Sequence, residues 1–319
     1  MIPFEELRDC ACCPRECHVR RLDGELGYCR TGADFSVGAI CVHRGEEPVL
    51  GGELARRSLG EGGRGICNIF FTRCNLQCRY CQNRQISRNR GEILEHRLRF
   101  EEVIARVERL LEAGTRHVGF VSPSHCIPQM KALIGALENR GPRPVFVMNT
   151  NAYDKAEVLR TLEGQVDVYL PDLKYMDSAL AARFSDAADY PEIAAAALRE
   201  MYRQKGSYLM LDADGRAESG LIIRHLVLPG QVENSKRCLR FIAEELSPSV
   251  HVSLLAQYQP TPEVAGDPDF GRRLRPEEYA EVVAELERLG FYRGWTQELT
   301  SAGCYAPDFA QAHPFESIP

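Results

Sequence analysis

Three cysteines stand within ten residues at "CNLQCRYCQN": Cys74, Cys78 and Cys81, spaced C-x3-C-x2-C. Thiolates at such spacing hold soft metals or iron–sulfur clusters. A structural zinc usually takes four protein ligands, and so does a [4Fe–4S] cluster that only passes electrons. Three thiolates on one short loop instead leave one iron open, which a cluster needs in order to act on a bound molecule. A second crowd lies in the first thirty residues, with Cys10, Cys12, Cys13, Cys17 and Cys29. Of these, Cys10, Cys13, Cys17 and Cys29 read C-x2-C-x3-C-x11-C, a closed four-thiolate set suited to an auxiliary [4Fe–4S] cluster or to structural zinc. Cys12 falls outside that spacing and is the spare. Cys41, Cys67, Cys126, Cys238 and Cys304 stand alone, and buried packing is the expectation for them.

Apolar runs of strand length alternate with helical periodicity through the body of the chain. Strands are expected at "ICNIFFTR", "HVGFVSP", "PVFVMNT", "VDVYLPDLK", "GLIIRHLVLPG" and "HVSLLAQY". Helices are expected between them, for example "FEEVIARVERLLEAG", with Phe100, Val103, Ile104, Val107, Leu110 and Leu111 at helical spacing and Gly114 past the end. In "YPEIAAAALREMYRQKG" Pro191 opens and Gly206 closes a helix. This alternation implies an α/β fold with a parallel sheet covered by helices. Six βα units leave an open barrel and a doubly wound sheet both possible. Polar residues collect at the carboxyl ends of the expected strands, where parallel α/β folds place their sites. They are Cys74, then Ser122, Ser124 and His125, then Asn149 and Thr150, then Asp172 and Lys174, then His225, and finally Gln257 and Gln259.

The divisions expected are 1–65, a cysteine-rich segment with a Gly-rich linker; 66–300, the α/β body; and 301–319, a tail. The stretch Arg44–Gly65 carries seven glycines and little periodicity; Glu46 and Glu47 within it read as a solvated acidic turn, with presentation to an active site or a partner as the alternative. The chain has 319 residues, 44% of them hydrophobic and 26% charged, as in an ordinary globular protein. Its formal charge of −6 argues against nucleic acid or an anionic membrane as the main partner. No export signal or apolar span is visible, so the expected location is cytoplasmic, where thirteen cysteines speak for metal or catalysis rather than disulfides.

With an aromatic before the last cysteine and a strand before the first, "CNLQCRYC" resembles the cluster loop of radical S-adenosylmethionine (SAM) enzymes. "YCQNRQIS", "YLPDLKYMD" and "IIRHLVLPG" are similar to segments of the pyruvate formate-lyase activating enzymes. The resemblance is to their uncharacterised, PflX-like iron–sulfur relatives, which begin with a cysteine-rich segment and carry "GWTQE" near the end. It covers the chain from about Cys10 to the C-terminal region. The fold it implies is a partial (βα)6 TIM-type barrel with a small cysteine-rich N-terminal segment.

The activity implied is oxidoreductase chemistry: reductive cleavage of SAM to methionine and a 5′-deoxyadenosyl radical that takes hydrogen from a substrate. The substrate would be a glycyl radical enzyme, a peptide or a small molecule, and the electron donor a flavodoxin or ferredoxin. On the same resemblance Cys74, Cys78 and Cys81 would hold the cluster and Tyr80 would lie against adenine. Asp172, Lys174 and His225 would contact SAM. The activases' "GGEP" is replaced here by "VSPSHC", so that Ser122, Ser124 or His125 would take over contacts to the SAM amino group. Their aspartate-threonine pair is replaced by Asn149-Thr150, which removes a charge from a monovalent-cation site. The alternative of another class is a non-catalytic iron–sulfur or zinc protein for electron transfer or scaffolding.

Overall fold

The computed structural model describes residues 4–51, 65–299, 307–311 and 313–315. Most of the Gly-rich linker, Cys304 and most of the expected tail lie outside the described residues.

The six expected strands form. They are β2 (Ile66–Phe71), β4 (His117–Val121), β5 (Val145–Thr150), β6 (Val168–Pro171), β8 (Ala217–Leu226) and β9 (His251–Leu255). All six run parallel to their neighbours in the order β2-β4-β5-β6-β8-β9. A seventh parallel strand, β10 (Gly294–Thr296), joins β9. On the opposite side β1 (Phe35–His43) pairs antiparallel with β2, and β3 (His96–Leu98) pairs antiparallel with β1. The short β7 (Met210–Leu211) pairs with β8. The sheet therefore ends in β3 and β10 and does not close. It is an open, mostly parallel barrel, as the resemblance implied, extended by β1 into the segment that read as cysteine-rich and separate.

The central strands are buried on both faces, which is why they read as continuous apolar runs rather than alternating ones. Every residue of β2 and of β4 is buried. The helices cover the outer face. In α2 (Phe100–Glu112, following the one-turn α1, Arg84–Ser87) Val103, Ile104 and Val107 of the periodic face are buried, and Phe100, Leu110 and Leu111 partly so. Next come α3 (Ile127–Leu137), α4 (Ala156–Arg160), α5 (Ser178–Ser185) and α6 (Tyr190–Lys205). Asp177 caps α5 by accepting from Leu180 N at 2.9 Å, satisfying one free N–H of the first turn. The last two helices are α7 (Val232–Phe241) and α8 (Pro276–Arg288).

The N-terminal segment is fixed to the body. Arg15 donates to the carbonyls of Asn75 at 2.9 Å and Asp186 at 2.6 Å, and its guanidinium stacks on Tyr28 at 3.8 Å. Arg21 donates to the His125 carbonyl at 2.8 Å, and Asn89 Nδ2 to the Tyr28 carbonyl at 3.0 Å. The cysteine-rich residues thereby sit against the loops that leave β2 and β4.

Candidate active site

A cavity of about 550 Å³ opens at the carboxyl ends of the parallel strands. One row of residues crosses the sheet and lines it: Phe70, Val121, Asn149, Arg224, Ser253 and Trp295. Strand register makes this row. Phe70 pairs with Val121, Val121 with Asn149, Arg224 with Ser253, and Ser253 with Trp295. Asp172, just past β6, bridges to Arg224 in the same row. Partners in register share a face, so their side chains converge.

Cys74, Cys78 and Cys81 all line this cavity from the loop after β2. Each sulfur accepts a hydrogen bond. Leu76 N and Asn151 Nδ2 each donate to Cys74 Sγ at 3.4 Å, Ser185 Oγ to Cys78 Sγ at 3.1 Å, and Ser87 Oγ to Cys81 Sγ at 3.3 Å. Such donors favour sulfur in its anionic, metal-binding form. A chain of hydroxyls stands behind Cys78: Tyr80 and Tyr175 share a bond at 2.5 Å, and Tyr175 and Ser185 another at 2.8 Å. Burial pushes the metal-free Cys74 thiol up to about 12 and that of Cys78 to about 11. Loading a metal there thus displaces protons. Among the described residues no three His, Cys, Asp or Glu side chains are drawn tightly enough together to hold a metal ion. The three thiols face one cavity.

Tyr80, Ser122, Asn149, Asp172 and Lys174 line the same cavity. Tyr80 packs beside Tyr258 and Phe270. Ser122 sits at φ 53, a left-handed conformation uncommon outside glycine and a frequent mark of functional turns. Asp172 is held between two cations, accepting from Arg224 Nε at 2.7 Å and Lys174 Nζ at 2.9 Å. Burial alone would raise its carboxyl; the Arg224 and Lys174 charges outweigh that and lower it. Arg224 also donates to Asn149 Oδ1 at 2.6 Å, so a guanidinium charge already stands at the position where an aspartate is missing.

His225 is not in the cavity. It faces the opposite side of β8, where Nδ1 meets the Leu173 carbonyl at 2.7 Å and Nε2 meets Ser235 Oγ of α7 at 2.9 Å. Successive residues of a strand point to opposite faces, and here Arg224 and Leu226 take the inner one. Burial lowers the His225 pKa to about 4, so the ring is neutral at physiological pH. Ser124 and His125 are likewise buried behind the row, bonded to Thr150 Oγ1 at 3.1 Å and the Thr72 carbonyl at 2.9 Å. Of the three candidates in "VSPSHC" only Ser122 lines the cavity.

The acidic turn is also placed differently from expectation. Glu47 is buried and Glu46 half-buried, and both line the cavity. Glu46 accepts from Asn68 Nδ2 at 2.9 Å, meets His43 Nδ1 at 3.1 Å and pairs with Arg224 Nη1 at 3.3 Å. Burial would raise its carboxyl, but these partners bring it down to about 2. Arg224, Asn151, Ser253 and Trp295 were not singled out from the sequence. Strand parity would identify Arg224, but a strand apolar on both faces does not reveal its parity.

At the N-terminal cysteines the grouping differs from the spacing. Cys10 Sγ and Cys12 Sγ lie 3.9 Å apart, and Arg21 Nη1 reaches them at 3.8 and 3.9 Å. The Arg21 charge is also felt at Cys29 and at Cys126, which therefore does not stand alone. Cys17 instead accepts from Tyr28 N at 3.2 Å. Arg21 is 2% exposed, and no carboxylate pairs with it among the described residues. Cys67 and Cys238 are buried packing residues, as expected.

The family model described as "Radical SAM superfamily" matches residues 68–213, which include the cysteine loop and the Asp172–Lys174 pair. The uncharacterized protein MJ0674 of Methanocaldococcus jannaschii is 27% identical over 285 residues, covering 88% of this chain and 75% of the relative. Among solved structures, a domain of pyruvate-formate lyase-activating enzyme from Bacteroides vulgatus aligns with TM-score 0.38 and 18% identity, covering 54% of this chain and 93% of that one. HydG, a maturase of the [FeFe]-hydrogenase, aligns with TM-score 0.49 and 15% identity, covering 70% of this chain and 48% of that one. The chain thus spans about half the length of HydG.

Proposed function

We propose, supported by the match of the radical SAM superfamily model to residues 68–213, that Cys74, Cys78 and Cys81 hold a [4Fe–4S] cluster at which SAM is reductively cleaved. The observation that carries this reading is the convergence of three hydrogen-bonded thiols and the Asp172–Lys174–Arg224 ion set on one cavity. The cluster, when bound, would supply the electron for reductive cleavage of SAM, and with it the means to take hydrogen from a substrate. The chain's own residues bind and orient. Lys174 and Arg224 suit the SAM carboxylate, Asp172 suits ribose hydroxyls or the ammonium group, and Tyr80 offers a ring to adenine. The hydrogen donor would be a glycyl radical enzyme, a peptide or a small molecule, and the reductant a flavodoxin or ferredoxin.

A second metal centre at the N-terminal cysteines, [4Fe–4S] or zinc, belongs to the same proposal. Its support is Arg21, since a buried cation without a carboxylate calls for a negative partner, and metal-bound thiolates provide one.

The test is chemical. Anaerobically reconstituted protein given dithionite and SAM is expected to release 5′-deoxyadenosine, and Cys78→Ala to abolish the release. A wild-type protein with a full cluster that cleaves no SAM under any reductant contradicts the proposal.

A further inference from the structure

Beyond Arg224 the cavity holds a buried carboxyl, one oxygen of which has no hydrogen-bond partner among the described residues. Glu47 lines the cavity, is 7% exposed, and its Oε2 is that oxygen. The carboxyl is bonded by its own backbone N–H and by the Ser253 hydroxyl. The nearby cation is already used. Arg224 divides its three donor groups among Asp172, Glu46 and Asn149, and Lys174 is paired with Asp172. Burial outweighs the opposing Arg224 charge and, with Glu46 adding to it, raises the Glu47 carboxyl to about 7. A buried carboxyl raised in this way lacks a directly bonded counter-ion.

The surroundings specify what the counter-ion would be. Ser253, which bonds the Glu47 carboxyl, is in register with Trp295, and Glu47, Ser253 and Trp295 line the same cavity. The ring of Phe315 lies 4.2 Å from that of His43 on the same wall. Carboxylate plus aromatic faces is the chemistry that receives an ammonium group, through a charge-assisted hydrogen bond and a cation–π contact. The place is distinct from the Asp172–Lys174 pair. Trp295 lies three strands from Asp172 across the sheet, about 14 Å at the usual strand spacing.

We infer that the substrate carries a protonated primary amine, received by Glu47 against Trp295. This rests on the proposed SAM chemistry only in treating the occupant as substrate; the cation site itself stands on the geometry.

The experiment is equilibrium binding to the cluster-loaded protein at about pH 8, where an alkylammonium is charged, its pKa lying near that of lysine at about 10.4. The probes are n-butylamine and its neutral isostere 1-butanol, with glycylglycinamide and N-acetylglycylglycinamide as a peptide-borne pair. The wild type is expected to prefer the amine of at least one pair by tenfold or more, and the pair preferred identifies the source of the ammonium. Glu47→Gln is expected to remove that preference at unchanged iron content. Trp295→Leu, which leaves the buried carboxyl in place, is expected to reduce it several-fold. Equal binding of amine and neutral isostere in both pairs overturns the inference, as does a preference that survives in Glu47→Gln. A parallel titration of wild type with SAM separates the two readings, since SAM cleavage without amine preference removes this inference alone, and amine preference without SAM cleavage removes the proposed chemistry alone.

Discussion

At the scale of single residues, the site combines thiols aimed at one cavity with ions that are paired among themselves. Asp172→Ala and Lys174→Ala are each expected to weaken SAM binding by roughly ten- to a hundredfold, since charge-assisted contacts contribute about 1.5–3 kcal/mol. Iron content should not change, because neither side chain touches a cysteine sulfur. Equilibrium dialysis against SAM, with iron assayed on the same samples, checks this; unchanged affinity in both variants would remove the pair from the SAM site. The hydroxyl behind Cys78 tunes rather than binds. Ser185→Ala takes away the donor to that sulfur and so destabilises the more negative, reduced cluster. Its potential should fall by about 20–60 mV, taking 0.5–1.5 kcal/mol for a hydrogen bond and 59 mV per tenfold for one electron. A redox titration reads it, and a potential unmoved or raised contradicts the role.

At the scale of elements, the six central strands were legible because each is an apolar run of strand length followed by a helical period. The cysteine loop was legible because thiol spacing is local. The edges were not. β10 is only Gly-Trp-Thr, too short to read, and it exists because Gly294 lets the chain close on β9. Gly294 has φ 113, and a Cβ there would lie 1.9 Å from the Val252 carbonyl oxygen. Gly294→Ala is therefore expected to cost at least about 1–3 kcal/mol, seen as a lower urea midpoint, and to withdraw Trp295 from the cavity. A variant with wild-type midpoint and indole fluorescence would mean that the strand needs no glycine. β1 was hidden among cysteines, and a register shift between Val37 and Ala39 breaks its alternation. Glu46 and Glu47 read as solvated because acidic residues next to glycine usually are. Their burial depends on Asn68, Arg224 and Ser253, all distant in sequence. His225 was assigned over Arg224 because resemblance marks a motif, whereas the face a side chain takes is set by the sheet.

At the scale of the whole molecule, an open parallel barrel gathers one cavity, and a cysteine-rich segment is pinned beside it by Arg15 and Arg21. No helix among the described residues is long and apolar enough to cross a membrane. In the Cys74→Ala, Cys78→Ala, Cys81→Ala triple variant, metal analysis isolates the N-terminal centre. About four irons with sulfide would identify a cluster and about one zinc a structural site, and adding Arg21→Met should lower the metal retained. No metal in the folded triple variant would remove that centre. The central claim is that one cavity joins an open iron to SAM, and the electron paramagnetic resonance spectrum of the dithionite-reduced protein tests it most directly. Saturating SAM is expected to shift the g-values of the reduced cluster in the wild type, and the same addition to shift them less in Asp172→Ala. A reduced cluster whose spectrum is identical with and without saturating SAM would contradict the account.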